Sequence, residues 1–206
     1  MALHILIPCK ALAAGKSRLA PALDAAGRAA LCAALLRRTL DCALQLAPAE
    51  RCHLVTADRA AAEHAAARGV RALFEPPGAG LNPALRQARA AICAAASVEL
   101  LVLPIDLPFA SARALRALVA VEAEVVAAPD RHRLGTNALH LAAGAAPRFE
   151  FRFGEASLAA HRAAAEELGL GFRLCEEPAL AFDLDRPEDL RDWREAASAA
   201  PAPWRP

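Results

Sequence analysis

Leu100-Leu101-Val102-Leu103-Pro104, followed by Ile105-Asp106-Leu107-Pro108, is the stretch on which the fold turns. A short run that is apolar on both faces suits a central strand in a parallel sheet with helices on each side. Asp106 follows it directly, and two prolines restrict the backbone around that carboxylate. Open α/β sheets bind ligands at the carboxyl ends of their strands. Mg²⁺ on phosphate oxygens needs one or two such carboxylates. Asp106 is therefore a candidate metal ligand. The competing role is a cap for the following helix, but Ser111 can serve there itself.

Outward from this strand, strand-like and helix-like segments alternate. Strands are expected over 3–7, 51–56, 72–74, 100–104, 124–127, 138–141 and 172–174, with a short one near 181–183. Helices are expected over 26–46, 59–68, 83–96, 111–121, 157–168 and 187–197. Asp58 and Ser111 look like N-caps, and Asn82-Pro83 reads as an N-cap with proline at the first helical position. Arg186-Pro187-Glu188-Asp189 puts proline and two acids in a first turn, which suits the helix dipole. The pattern predicts a doubly wound α/β domain, residues 1–198, with a mostly parallel central sheet and helices on both faces. The proline-rich end, 199–206, is expected to be a disordered tail.

The first strand, Leu3-His4-Ile5-Leu6-Ile7, runs into a loop carrying Lys10, Lys16 and Arg18. Loops after strands hold phosphates where backbone N–H groups and cations converge. Gly15-Lys16-Ser17 resembles the end of a P-loop, but Lys10 stands where its first glycine belongs, so that motif fails. A cationic loop of another construction, for a nucleoside triphosphate or similar anion, remains.

Three further segments have binding character. Glu75-Pro-Pro-Gly78-Ala-Gly80-Leu81-Asn82 lacks dinucleotide spacing; it either packs on a base or ribose or is a plain loop and cap. Gly135-Thr136-Asn137 and Gly154-Glu155-Ala156-Ser157 offer small residues and free N–H groups for a phosphate or carboxylate, with turn and cap as the plainer reading. With Arg152 and His161 they could form a second anion pocket, closed over by Arg131 and Arg133. In Phe182-Asp183-Leu184-Asp185, Asp183 is expected to face the site and Asp185 to cap the next helix.

The 206 residues are 56% hydrophobic with a formal net charge of +1, enough for one sizeable core and no global field toward nucleic acid or membrane. No apolar run approaches the roughly 18 residues of a membrane span, and the start does not read as a signal peptide. Six cysteines show no C-x-x-C pair and read as small buried hydrophobes of a cytoplasmic protein. Cys9 lies beside the cationic loop without a recognisable base, so no nucleophile triad assembles.

Five segments in order then carry a resemblance: Ile7-Pro8-x-Lys10-x-Leu12 with Lys16-Ser17-Arg18-Leu19; Leu103-Pro104-x-Asp106-Leu107-Pro108; Gly135-Thr136-Asn137-Ala138-Leu139; Phe153-Gly154 with Ser157 and His161; and Asp183-Leu184-Asp185-x-Pro187-Glu188-Asp189-Leu190. The chain resembles the guanylyltransferases of coenzyme F420 biosynthesis, which have a single Rossmann-like nucleotidyltransferase domain. The resemblance implies that GTP and a phosphorylated three-carbon acid (2-phospho-L-lactate, phosphoenolpyruvate or 3-phospho-D-glycerate) give a guanylated diphosphate acid plus pyrophosphate, the product passing to a downstream transferase. It implies Lys10, Lys16, Arg18 and Asp106 as catalytic groups, and Lys10, Gly15, Lys16, Ser17, Arg18, Gly80 and Asn82 around GTP. Thr136, Gly154 and Ser157 would bind the acid, and Asp106 and Asp183 would hold Mg²⁺. The first loop departs from many related nucleotidyltransferases, which carry Gly-x-Gly where only Gly15 stands here. A neighbouring nucleotidyltransferase with a sugar phosphate or molybdopterin acceptor, and a non-catalytic nucleotide-binding protein, are the alternatives; a homodimer is left open.

Overall fold

A computed structural model describes residues 1–76 and 78–199. Seven strands form one sheet: β1 (Ala2–Pro8), β2 (Cys52–Thr56), β3 (Arg71–Phe74), β4 (Val98–Val102), β5 (Val125–Pro129), β6 (Thr136–Leu141) and β7 (Phe172–Leu174). Their order is β3-β2-β1-β4-β6-β5-β7. All pairings are parallel except those of β6, which runs antiparallel to both β4 and β5. The mostly parallel sheet expected from the sequence is present, and β4 is central and buried on both faces. The loop from β5 to β6 spans only residues 130–135, too short for a parallel crossover.

Helices cover both faces: α1 (Ala25–Leu44), α2 (Arg59–Ala66), α3 (Leu81–Cys93), α4 (Ala112–Val119), α5 (Ser157–Glu167), the short α6 (Pro178–Ala181) and α7 (Pro187–Ala199). In α1, Leu31, Cys32, Leu35, Leu36, Thr39, Leu40 and Ala43 recur at helical spacing and are buried. Cys32, Leu36, Leu40 and Ala43 enter the first of the two clusters that flank the sheet. This one, under α1, α2 and α4, packs Ile5, Ile7 and Leu101; its counterpart across the sheet packs Leu6, Leu100 and Val102 against Leu85 of α3 and Leu158 of α5. A third joins Leu19, Leu31 and Leu35 to Leu184 and Leu190. That small cluster brings the loop after β1 beside the segment before α7.

Asp58 and Ser111 cap their helices as expected, accepting from the backbone N–H of Ala60 and Ala114. Two expectations are corrected. Residues 181–183 form no strand, because Pro178 opens a helical turn and the chain then leaves it toward β4, where Leu184 N–H donates to the Asp106 carbonyl at 2.9 Å. Asn82 is not an N-cap: α3 begins two residues earlier than expected, at Leu81, capped by Gly80 at φ 78°. The expected tail lies outside the described residues except for Ala199, which ends α7.

Candidate active site

β1 and β4 are neighbours, so the loops at their carboxyl ends meet. Between them and the loop after β3 lies a cleft of about 480 Å³, within the usual range for small-molecule sites. Lys10, Gly15, Lys16, Ser17, Arg18, Glu75, Gly80, Asp106 and Asp185 are among its lining residues. Seven of these were expected from the sequence; Glu75 and the cleft-facing Asp185 were not. Glu75 is the first residue after β3, the kind of position α/β sheets use for ligands, and that signal was available.

Gly15 is required by close packing: a Cβ there would sit 2.7 Å from Cys32 Sγ on α1. Lys16 takes the left-handed conformation, φ 53°, a costly one for a side-chain-bearing residue. That backbone directs its ammonium inward. Nζ lies 2.6 Å from Asp185 Oδ1 and 3.4 Å from Asp106 Oδ2, and the side chain is 9% exposed. Burial alone would lower the ammonium's pKa, but Asp106 and Asp185 outweigh it and hold it above its ordinary value. Arg18 Nη1 reaches the other oxygen of Asp185 at 3.3 Å. Lys10 is exposed at the rim and has no acid partner among the described residues.

Asp185 therefore does not cap α7, as its position before Pro187 suggested. Both its oxygens go to cations. Asp189 takes over, accepting from the N–H groups of Asp185 (2.9 Å) and Arg186 (2.6 Å). Asp183, expected to face the site, is not among the residues that line the cleft. Its carboxyl is pushed up by burial first, then by the charges of Asp106 and Asp185. Among the described residues no cation pairs with it. Asp106 and Asp185 thus place negative charge beside Asp183, and carboxylate oxygens are the donors a hard cation would take. No group of three or more His, Cys, Asp or Glu is arranged for a metal among the described residues, so phosphate oxygens and water would complete the shell.

Cys9 Sγ is buried and its thiol is pushed up to about 12, mainly by burial and then by Cys32 and Asp58. Burial of this kind disfavours the thiolate, which is the nucleophilic form. All six cysteines are free thiols, five of them buried.

The residues expected to bind the acid lie outside this lining. Thr136 and Ser157 are 7% and 3% exposed. Thr136 N–H donates to Ser157 Oγ at 2.9 Å, and Thr136 Oγ1 lies 2.9 Å from His161 Nδ1. Gly154 takes φ 141°, with open space where a Cβ would stand. Asn82, expected near GTP, is turned away from the cleft. Its Oδ1 accepts from Phe153 N–H at 2.8 Å and its Nδ2 donates to Phe153 C=O at 2.9 Å. It clamps the start of α3, and so the glycine loop lining the cleft, to the segment carrying Gly154. Arg152, expected in the second anion pocket, pairs with Glu167, and of the two arginines expected to close over it Arg131 pairs with Asp189 and Asp192 and Arg133 with Glu176.

The comparisons agree with one another. A family model described as "Guanylyl transferase CofC like" matches residues 3–193. A phosphoenolpyruvate guanylyltransferase of Rubrobacter xylanophilus is 41% identical over 194 residues, covering 92% of each chain. A 3-phospho-D-glycerate guanylyltransferase of Phenylobacterium zucineum is 41% identical over 180 residues, covering 84% of this chain and 81% of its own. Among solved structures, a nucleotidyl transferase from Methanothermobacter superposes with TM-score 0.66 at 15% identity, covering 95% of this chain and 97% of that one. A 4-diphosphocytidyl-2C-methyl-D-erythritol synthase does so with TM-score 0.63 at 17% identity, covering 93% and 95%. These two speak for the fold alone.

Proposed function

This chain belongs to the CofC-like guanylyl transferase family, and from that premise we propose how its cleft binds GTP and Mg²⁺ and which residues carry the reaction. The enzyme is a nucleotidyltransferase that transfers guanylyl to a phosphorylated three-carbon acid in coenzyme F420 biosynthesis. An oxygen of the acid's phosphate attacks the α-phosphorus of GTP. The bond to the leaving pyrophosphate breaks, and a guanylated diphosphate acid forms. A phosphate is already ionised at neutral pH, so no general base or covalent intermediate is needed. Catalysis is positioning plus charge neutralisation.

One observation supports this assignment of roles. The cleft gathers Lys10, Lys16 and Arg18 around Asp106 and Asp185, and the thiol beside them is pushed up to about 12. Lys10 and Arg18, the more exposed cations, would meet the triphosphate as it enters. Lys16, held in place by two carboxylates, would stand nearest the reacting phosphates. Asp106 and Asp183 would hold Mg²⁺, which supplies charge neutralisation at the phosphate oxygens. Gly15, Ser17 and Gly80 would bring backbone close to the nucleotide. Glu75 is a carboxylate in a cleft for a polyanion, and it forms no ion pair among the described residues. Guanine explains it: its N1–H and 2-amino group are both donors, which a carboxylate accepts and adenine does not offer in that arrangement. Thr136, Gly154 and Ser157 would bind the acid. The product is an activated diphosphate, suited to a downstream transferase that releases guanylate.

The test is pyrophosphate release from GTP and Mg²⁺ with 2-phospho-L-lactate, phosphoenolpyruvate or 3-phospho-D-glycerate in separate reactions. Release with one acid, and none with ATP or without acid, is the expected result and names the substrate. Protein that binds GTP but releases nothing with any acid overturns the reading.

A further inference from the structure

The imidazole of His161 is fully buried, packed edge-on to Phe153 at 4.7 Å between centroids and tilted against Phe149 at 5.9 Å. Both its nitrogens are engaged. Arg152 N–H donates to Nε2 at 3.0 Å, and Nδ1 lies 2.9 Å from Thr136 Oγ1. A backbone N–H only donates, so Nε2 must present its lone pair. The neutral ring then carries its proton on Nδ1, and Nδ1–H donates to Thr136 Oγ1. The Thr136 hydroxyl is thereby an acceptor toward His161, and its own proton is directed elsewhere. Ser157 is set the same way, because its Oγ accepts from Thr136 N–H. Neither hydroxyl proton has an acceptor among the described residues, although both side chains are more than nine-tenths buried. Alongside them, the N–H groups of Gly154, Glu155 and Ala156 have no hydrogen-bond acceptor among the described residues.

Resting on the guanylyl-transfer reading, we infer that His161 is a positioning residue in the acid subsite, occupying the Thr136 hydroxyl as an acceptor so that its proton is left to be donated to substrate. Such a site fits a carboxylate or phosphate oxygen, which only accepts. The opposite ring tautomer would reverse Thr136. Its hydroxyl would donate to Nδ1 and turn lone pairs toward the substrate anion, and Arg152 N–H would lose its acceptor. Burial, and then the Arg152 charge, lower His161 to about 4, so the ring stays neutral at working pH. His161 itself has no free atom with which to touch substrate.

Two replacements separate its contacts. In His161→Gln the amide oxygen can stand at the Nε2 position and keep Arg152 N–H, while the donor to Thr136 is lost. In His161→Asn the amide nitrogen can stand near Nδ1 and keep that donor. Expected is a rise in the KM for the phospho-acid of about 10- to 100-fold in His161→Gln, the scale of a hydrogen bond to a charged group. The KM for GTP stays within about two-fold, and His161→Asn restores most of the acid affinity, since only the donor to Thr136 matters. In a Thr136→Val background, His161→Gln adds nothing further to the KM of the acid, because the two act through one hydroxyl. Equal losses in Gln and Asn that follow thermal stability, or additivity with Thr136→Val, overturn the proposal. If neither variant folds, the imidazole ¹⁵N spectrum of the unmodified protein decides: an Nδ1–H tautomer supports it, and an Nε2–H tautomer overturns it. Unmodified protein that is active in the pyrophosphate assay but fails these tests removes this inference alone; inactivity with every acid removes the functional reading beneath it.

Discussion

On the proposed reading, the cleft at β1 and β4 and the polar cluster at β6 and α5 would answer the same problem, an anionic ligand, by opposite means. The cleft uses full charges. Lys16 and Arg18 are paired with Asp185, and Lys10 waits at the rim. The β6–α5 cluster has neutral dipoles: two hydroxyls, an imidazole and backbone N–H groups, nearly all buried. A triphosphate brings several charges, and only ionic groups neutralise them on the scale that phosphoryl chemistry requires. A small acid must be oriented more than neutralised, and fixed donors in a dry site do that without adding charge. Each region also contains a side-chain-bearing residue in the left-handed conformation, Lys16 at φ 53° and Ala156 at φ 52°. Strain of that kind gathers where a backbone must hold a group or an N–H in one direction.

The sharpest way to break the contrast is at Asp106. Asp106→Asn keeps the shape and removes one charge facing both Lys16 and the expected metal site. Turnover should fall at least about 100-fold, the scale of losing a preorganised electrostatic partner. Steady-state kinetics on protein of unchanged Tm would check it; near-normal kcat would remove Asp106 from the chemistry. A smaller effect belongs to Glu75. Glu75→Gln replaces an acceptor-only group by one that also donates, so kcat/KM for GTP should drop about 10-fold, one hydrogen bond to a charged group. Inosine triphosphate, which lacks the 2-amino group, should lose less in the variant than GTP does. Equal losses for the two nucleotides would separate Glu75 from guanine.

These two residues also mark how far the sequence could be read. Asp106 was legible because its signal is local: an apolar strand, a proline on either side, a carboxylate at the end. The seven strands and six longer helices were legible for the same reason, since apolar periodicity and turn residues announce them within a dozen positions. Asp185 and Asn82 were misread as caps. Each stands where a cap belongs, but a distant partner claimed its side chain: Lys16 for Asp185, the Phe153 peptide for Asn82. The antiparallel course of β6 follows from a six-residue connection whose length was visible but whose consequence depends on the neighbours in the sheet. The network of Thr136, Ser157 and His161 spans 25 positions, and nothing local specifies which hydroxyl faces which nitrogen.

Asn82 joins the two regions, and its loss should show more in stability than in chemistry. Asn82→Ala leaves the N–H and C=O of Phe153 without their partners, at a cost of about 1–3 kcal/mol. Asn82→Asp should be no better, because a carboxylate would face the Phe153 carbonyl it must replace a donor for. Urea unfolding measures both. If Asp behaves like the native amide, the clamp does not have the geometry described. The KM values for GTP and acid should rise together in these variants, since both walls move.

The smallest effect is expected at Arg152, and it tests the neutrality of the acid pocket directly. Its backbone N–H anchors His161, yet its guanidinium turns outward to a bidentate pair with Glu167 on the surface. An exposed pair of this kind contributes little. Arg152→Ala keeps the N–H and deletes only the charge, so the KM for the phospho-acid should stay within about two-fold of the unmodified enzyme, as for other surface pairs. A large rise would mean that the guanidinium swings inward when substrate is present. The pocket would then be ionic like the cleft, and the distinction between the two regions would fail at its most accessible residue.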